Sequence, residues 1–251
     1  MNSNNKNSKT EQLLDMIHHA DHIVAFTGAG ISTESGIPDF RSPDGLWAKM
    51  EPIMYNDFIS SEETRLEDWR RRFIQVEEFN MARPNEGHMA LVRLSERKKL
   101  VCTITQNIDG LHQRSGLDPD HVIEIHGNGT FATCLDCDAE MSLRQAQTHI
   151  NSTGKSPRCP KCGGLVKTAI INFGQAMPED AMMRAMHQAA DCDLFIVMGS
   201  SLVVYPAAGL PQIAKQNGAK LVILNRDPTP MDHLADLCIH DEIGPIMEHV
   251  V

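Results

Sequence analysis

Apolar positions along this chain fall into short unbroken runs, separated by longer stretches with helical spacing. Ile23-Val-Ala-Phe26, Leu100–Thr105, Val122–Ile125, Leu194–Met198 and Lys220–Leu224 are short runs rich in aliphatic and β-branched residues. That is the pattern of strands buried on both faces. Between them, Thr10–Ala20, Asn85–Arg97, Pro178–Ala190 and Pro206–Gln216 carry apolar residues three and four apart, which predicts helices. In the first of these, Thr10 reads as a cap and Leu13, Leu14, Ile17 and Ala20 share one side. Asp57–Met81 predicts a longer, highly charged helix, Thr168–Phe173 a further strand and Gly244–Val251 a closing helix. Ser35–Trp47, polar and interrupted by Pro and Gly, predicts no regular element. Strands alternating with helices imply crossover units: an α/β fold with a mostly parallel sheet covered on both faces.

Polar motifs sit where the strands end: Gly28-Ala29-Gly30, Gln106-Asn107-Ile108-Asp109, His126-Gly127, Gly199-Ser200-Ser201 and Asn225-Arg226. In an open α/β sheet that carboxyl edge is where ligands bind. The Gly-Ala-Gly loop resembles the start of a dinucleotide fingerprint, but Thr33 stands where the third glycine belongs. No clean second strand ending in an acid follows, which argues against a hydride-transferring dehydrogenase. His126 is placed to act as a general base near neutral pH, whereas His18, His19 and His149 have no such setting.

Composition adds limits. The 251 residues are 41% hydrophobic and 22% charged, with a net charge of −10, so a sizeable core is available and the surface is acidic. Such a surface disfavours nucleic acid as the main partner and suits basic peptides. No apolar run approaches the roughly 18 to 20 residues of a membrane span. Residues 1–9 are Asn-, Ser- and Lys-rich and lack the apolar stretch of a secretory signal, which predicts a flexible tail on a cytoplasmic protein.

The seven cysteines divide into two kinds. Cys134-x-x-Cys137 and Cys159-x-x-Cys162 form two pairs at metal-binding spacing, with Gly163 and Gly164 after the second. Four thiolates close a tetrahedron around one structural Zn²⁺ and leave no open position for chemistry. Cys102, Cys192 and Cys238 stand in apolar surroundings and read as small core residues.

Taken together, GAGISTESGIPDFRSPDGLW (28–47), PNEGH (84–88), TQNIDGLH (105–112), the His126-Gly127 pair, the two cysteine pairs, FGQ (173–175), GSSLVVYP (199–206) and NR (225–226) resemble the sirtuins, over about residues 10–250. The resemblance implies an NAD-dependent protein-lysine deacylase that releases nicotinamide and O-acyl-ADP-ribose. It implies a catalytic core at 10–251 with a Rossmann-like sheet, a helical insertion at about 45–83 and a zinc-ribbon module at about 131–167. Gly28, Ala29, Gly30 and Thr33 would line the phosphate side of NAD. Asp39, Phe40 and Arg41 would belong to a loop closing over the nicotinamide end. Gln106, Asn107, Ile108 and Asp109 would hold the ribose and carboxamide, with Asn107 and Asp109 counted beside His126 as catalytic. His126 would activate a ribose hydroxyl as base. Gly199, Ser200, Ser201, Asn225 and Arg226 would contact the adenine side. Phe173, Gly174, Val203, Val204 and Tyr205 would clasp an acylated-lysine peptide as an added strand. The same first step with another acceptor would make an NAD glycohydrolase or ADP-ribosyltransferase.

Two departures bear on specificity. Gln175 stands where the family often has Glu, removing a charge beside the peptide groove. Family members that prefer succinyl- or malonyl-lysine carry Tyr-x-x-Arg in the helical segment before PN-x-x-H; here the nearest imitation is Trp69-x-x-Arg72. Arg70, Arg71 and Arg72 read instead as a solvated helix face pairing with Glu67 and Asp68. A neutral acyl group, acetyl first, is therefore expected.

Overall fold

A computed structural model describes residues 3–40, 42, 45 and 50–248. Six strands form the main sheet: β1 (Ile23–Thr27), β2 (Leu100–Thr105), β3 (Val122–Glu124), β7 (Leu194–Met198), β8 (Lys220–Leu224) and β9 (Leu237–Ile239). Their spatial order is β3-β2-β1-β7-β8-β9 and every pairing is parallel. The order reverses at β1, which pairs with β2 on one side and β7 on the other, the position where doubly wound sheets bind dinucleotides.

The apolar runs are continuous because both faces of the sheet are covered. Ile23, Ala25, Leu194, Ile196 and Val222 pack on one face against Leu13 and Ile17 of α1 (Ser3–His19) and Leu91 and Leu94 of α4 (Glu86–Glu96). Val24, Phe26, Phe195, Val197 and Ile223 point the other way. They meet Ala185 and Ala189 of α7 (Glu179–Asp191) and Leu210 and Ala214 of α8 (Leu210–Gln216). A short last helix, α9 (Ile243–Glu248), adds Ile243 and Ile246 to the first face.

Some expectations shift. Helix α1 begins at Ser3, so residues 3–9 of the segment read as a tail are helical, and Thr10 lies inside the helix rather than capping it. Lys9 explains part of this, since its Nζ donates to the Cys238 carbonyl at 2.7 Å. Leu14 is exposed and does not share the buried side. The charged stretch divides into α2 (Tyr55–Ser60) and α3 (Glu62–Met81), because Ser61 turns extended and its Oγ accepts from Thr64 N at 3.2 Å as the cap of α3. The strand expected over 168–173 is β6 (Val166–Ile170), and it belongs to a second sheet.

That second sheet joins β6, β4 (Gly127–Cys134) and β5 (Glu140–Ser142) antiparallel, in the order β5-β4-β6. A short helix, α5 (Leu111–Arg114), leads towards β3, while α6 (Leu143–Thr153) packs on the small sheet with a Ser142–Gln145 capping box. The small core here gathers Ala132, Cys134, Leu143, Ala146, Cys159 and Val166 around Trp69 of α3, which is fully buried. Glu62 of α3 accepts from Ser156 N at 2.6 Å and from Ser156 Oγ at 2.7 Å. The helical insertion and the cysteine module thus form one body, seated beside the carboxyl edge of the main sheet.

Candidate active site and metal centre

A cavity of about 640 Å³ opens at that edge, between the main sheet and α3. Its floor is backbone. Gly30 N donates to the Gly199 carbonyl at 2.9 Å, and Gly28 N to that of Met198 at 3.1 Å. A Cβ on Gly28 would lie 2.7 Å from Gly199 O, and one on Gly30 would lie 2.7 Å from Gly199 Cα. Gly199 itself has φ +70°, a conformation that side chains disfavour. These glycines let two strand-end loops touch and clear a cradle that any larger residue would fill, which is the fit a pyrophosphate needs. Ala29 and Thr33 complete that part of the wall.

The polar residues after β2 are held from behind. Asn107 Nδ2 donates to the Gly28 carbonyl (3.1 Å) and to Ser32 Oγ (3.2 Å), and Ser32 Oγ donates to Asp109 Oδ2 (2.8 Å). Asp109 Oδ1 accepts from Leu111 N (2.9 Å), two residues on, in the turn that leads into α5. Burial pushes the Asp109 carboxyl above its ordinary range, against those hydrogen bonds. Gln106, Asn107 and Ile108 line the cavity, whereas Asp109 lies behind it and reaches Asn107 only through Ser32. Ser32 escaped the sequence reading, although its place within GAGIS was a signal.

His126 also lines the cavity, and its Nδ1 donates to the Gln106 carbonyl at 3.0 Å. That bond fixes the tautomer in which Nε2 keeps its lone pair. Burial lowers the pKa below the usual imidazole value, with the carbonyl acting the other way. The His126 carbonyl accepts from Ile171 N at 2.9 Å, which joins the base to the segment carrying Phe173 and Gly174.

Other expected residues divide similarly. Asp39, Phe40, Ser200, Ser201, Asn225 and Arg226 all line the cavity. Asp39 Oδ2 lies 3.8 Å from an Arg226 guanidinium nitrogen, across its mouth. Gln106 Nε2 donates to Ser200 Oγ at 2.8 Å. Phe173, Gly174, Val204 and Tyr205 also line it, but Val203 is exposed and does not. Arg41 lies outside the described residues. Arg72, weighed from the sequence only as half of an acid clasp, lines the cavity with Asp68 and Gln75, and that wall formed by α3 was not foreseen. The three arginines pair as expected, Arg70 and Arg71 with Glu67 at 2.7 Å and Arg72 with Asp68 at 3.3 Å; Arg70 is exposed, whereas Arg71 and Arg72 are partly buried and Asp68 is 1% exposed.

The four Sγ atoms of Cys134, Cys137, Cys159 and Cys162 lie within 4.8 Å of one another. Cys134–Cys162 and Cys137–Cys162 are separated by 3.4 Å and Cys137–Cys159 by 3.7 Å. A tetrahedron with Zn–S bonds of about 2.3 Å has edges of about 3.8 Å, so the donor set fits. Backbone N–H groups of Asp136, Lys161 and Gly164 each approach a cysteine sulfur at 3.4 Å, as thiolates require. The cluster fits one structural zinc ion.

A doubly wound parallel sheet, a glycine cradle at its switch point and a closed four-cysteine centre define a dinucleotide-binding protein with a metal-stapled module. The sequence model of the Sir2 family matches residues 28–206, and the chain belongs to that family. It is 54% identical over 237 residues to an NAD-dependent protein deacetylase of Rhodopseudomonas palustris, covering 94% of each chain. It is 40% identical to NAD-dependent protein deacylase 2 of Archaeoglobus fulgidus, covering 94% of this chain and 92% of that one. Among solved structures, it resembles a Sir2 complex with a deacetylated p53 peptide and 3′-O-acetyl-ADP-ribose, at TM-score 0.88 and 37% identity over 96% of this chain and 97% of that one. A Sir2 complex with p53 peptide and NAD⁺ matches at TM-score 0.84 and 36% identity, with the same coverage. Among the described residues, no helix is long and apolar enough to cross a membrane.

Proposed function

We infer that this chain is an NAD-dependent protein-lysine deacylase that transfers the acyl group of acyl-lysine, acetyl first, to ADP-ribose and releases nicotinamide. The observation that carries the reading is His126: a half-buried imidazole, tautomer fixed by the Gln106 carbonyl, on the wall of the same cavity that Asn107 and the glycine cradle line. When bound, NAD supplies a ribose carbon activated by its nicotinamide leaving group and the hydroxyls that receive the acyl group.

The residues divide the remaining work. Gly28, Ala29, Gly30 and Thr33, with Gly199, Ser200 and Ser201, hold the phosphates and adenosine, and Asn225 and Arg226 close the adenine end. Asn107 offers its amide to the ribose, steadied by Ser32. Asp109 acts through Ser32, as a positioning residue. His126 Nε2 takes the hydroxyl proton; its depressed pKa keeps it neutral and ready at physiological pH. Asp39, Phe40 and Arg41 exclude water from the nicotinamide end. Phe173, Gly174, Val204 and Tyr205 receive the peptide by strand addition, with Val203 beside them.

The catalytic core spans 10–251, with the insertion at about 45–83 and the zinc module at about 131–167, and the protein works in the cytoplasm. Cys134, Cys137, Cys159 and Cys162 hold the zinc, which supports folding. Mass spectrometry of the products from NAD and acyl-lysine peptides tests the reading. O-Acyl-ADP-ribose formed in step with free lysine peptide is expected. Nicotinamide release at the same rate without acylated peptide would overturn it in favour of NAD hydrolysis or ADP-ribosyl transfer.

A further inference from the structure

Beneath the peptide-side wall lies a lysine that the chemistry above does not use. Lys167, on β6, is 1% exposed, an expensive place for an ammonium. Its Nζ donates to the carbonyls of Thr168 (3.1 Å) and Ile170 and to Asn172 Oδ1 (3.1 Å), all neutral oxygens. Two charged groups of α3 face it: Asp68, which favours the ammonium, and Arg72, which opposes it. An apolar side chain of similar length would serve the stability of the small module as well or better. Stability alone therefore does not account for this residue.

The three acceptors lie where the chain leaves β6 and becomes a cavity wall. Asn172 uses its other amide atom, Nδ2, to reach the Ile53 carbonyl at 3.1 Å, and Tyr55 N donates to the Phe173 carbonyl at 2.9 Å. Gln175 closes the turn twice, with its N on Asn172 O (3.0 Å) and its Oε1 accepting from Asn172 N (3.2 Å). Gly174 takes φ +83° at the bend. The turn is thus fixed to His126 through Ile171, to the Ile53–Tyr55 stretch on its outer side, and to Lys167 from within.

We propose that Lys167 is a positioning residue for the acyl-lysine peptide, holding the Ile170–Gln175 turn from inside so that Phe173 and Gly174 meet the substrate backbone. The proposal rests on the peptide-groove reading above.

Steady-state kinetics on the zinc-loaded enzyme tests it, with Lys167→Met, Asn172→Leu, the double variant and Phe173→Ala. Lys167→Met should raise the KM for acetyl-peptide about tenfold, as loss of a charge-assisted hydrogen bond would. The KM for NAD and kcat should stay within about twofold. Asn172→Leu should do the same, and the double variant should cost no more than the worse single one. If Lys167→Met does not fold, Asn172→Leu alone carries the test. Parallel losses in kcat and in both KM values, together with lost zinc, would overturn the proposal in favour of a purely structural lysine, as would additive single effects. A Phe173→Ala variant with unchanged peptide KM would overturn the groove reading and the proposal with it. A Phe173→Ala defect without one in the other variants would overturn the role of Lys167 alone.

Discussion

The Arg72 guanidinium and the Asp68 carboxylate, one helical turn apart on α3, meet at 3.3 Å on the cavity wall. Arg72 gives a second nitrogen to Gln75 Oε1 at 2.9 Å, and neighbouring Trp69 is turned fully into the small core, stacked on Phe73. The guanidinium is already neutralised, and the indole is directed elsewhere. An acyl tail ending in a carboxylate would meet the negative charge of Asp68 along with Arg72, at a cost of several kcal/mol unless another partner appears. Acetyl peptides should therefore exceed matched succinyl peptides about tenfold or more in kcat/KM. Asp68→Asn, which frees Arg72 without changing shape, should narrow that gap. A succinyl peptide that outperforms its acetyl twin in the unaltered enzyme would contradict this reading.

His126→Ala should lower deacylation by a factor of about 10² to 10⁴ while NAD affinity stays within a few-fold, since the imidazole moves a proton and does not hold the dinucleotide. The pH profile follows from its environment. Burial lowers the pKa, so the neutral base persists below the ordinary imidazole value of about 6.5, and kcat/KM should fall only on the acid side of it. An acid limb above pH 7 would be the contrary result.

Chelation of the metal, or Cys134→Ala, should be felt in the active site although no cysteine lines the cavity. The same small core that contains Cys134 and Cys159 also contains Trp69. Loosening it releases the helix that carries Asp68 and Arg72. Zinc stoichiometry, far-UV circular dichroism and kcat/KM should decline together. A metal-free protein with full activity would separate the module from the cavity.

Acid should destabilise the fold through its buried histidines. His88 is fully buried, and desolvation pushes it down to about 4. The unfolded chain takes up the proton at about 6.5, so it binds more protons than the native state between those values, and stability is lost as pH falls through that window. The contribution is on the order of 3 kcal/mol, from about 2.5 pKa units at about 1.4 kcal/mol each. His112, whose ring centre lies 5.0 Å from that of His88, is shifted in the same direction by burial and by its neighbour. Thermal melts from pH 7 to 4 should show a steep loss of Tm in the unaltered protein and a shallower one in His88→Gln.

The central strands were legible because nothing competes with a doubly buried apolar run: Leu100–Thr105, Leu194–Met198 and Lys220–Leu224 were read to the residue. β9 was not, since the three residues Leu237–Ile239 carry too little pattern and gain their identity only by pairing with β8. Helix α6 hid between the cysteine pairs because Leu143–Thr153 is mostly polar and is fixed by its cap, by Leu143 and Ala146, and by the partly buried Ile150. In the site, residues at strand ends were found by position. The α3 wall was missed because a charged helix reads as solvated until the fold shows what stands opposite. The tucked position of Asp109 depended on a partner, Ser32, 77 positions away in the chain.

Consecutive residues of α3 face different compartments: Asp68 looks onto the cavity and Trp69 into the metal module. Each residue added to an α-helix turns everything beyond it by about 100°. A single codon gained or lost between Glu62 and Asp68 would therefore swing a guanidinium towards the thiolates and the indole out of its seat, even with every later residue unchanged. Surface loops absorb such changes in length readily. This helix has no slack, and its length, more than any one of its side chains, is what gene-shuffling or insertion scanning should find intolerant.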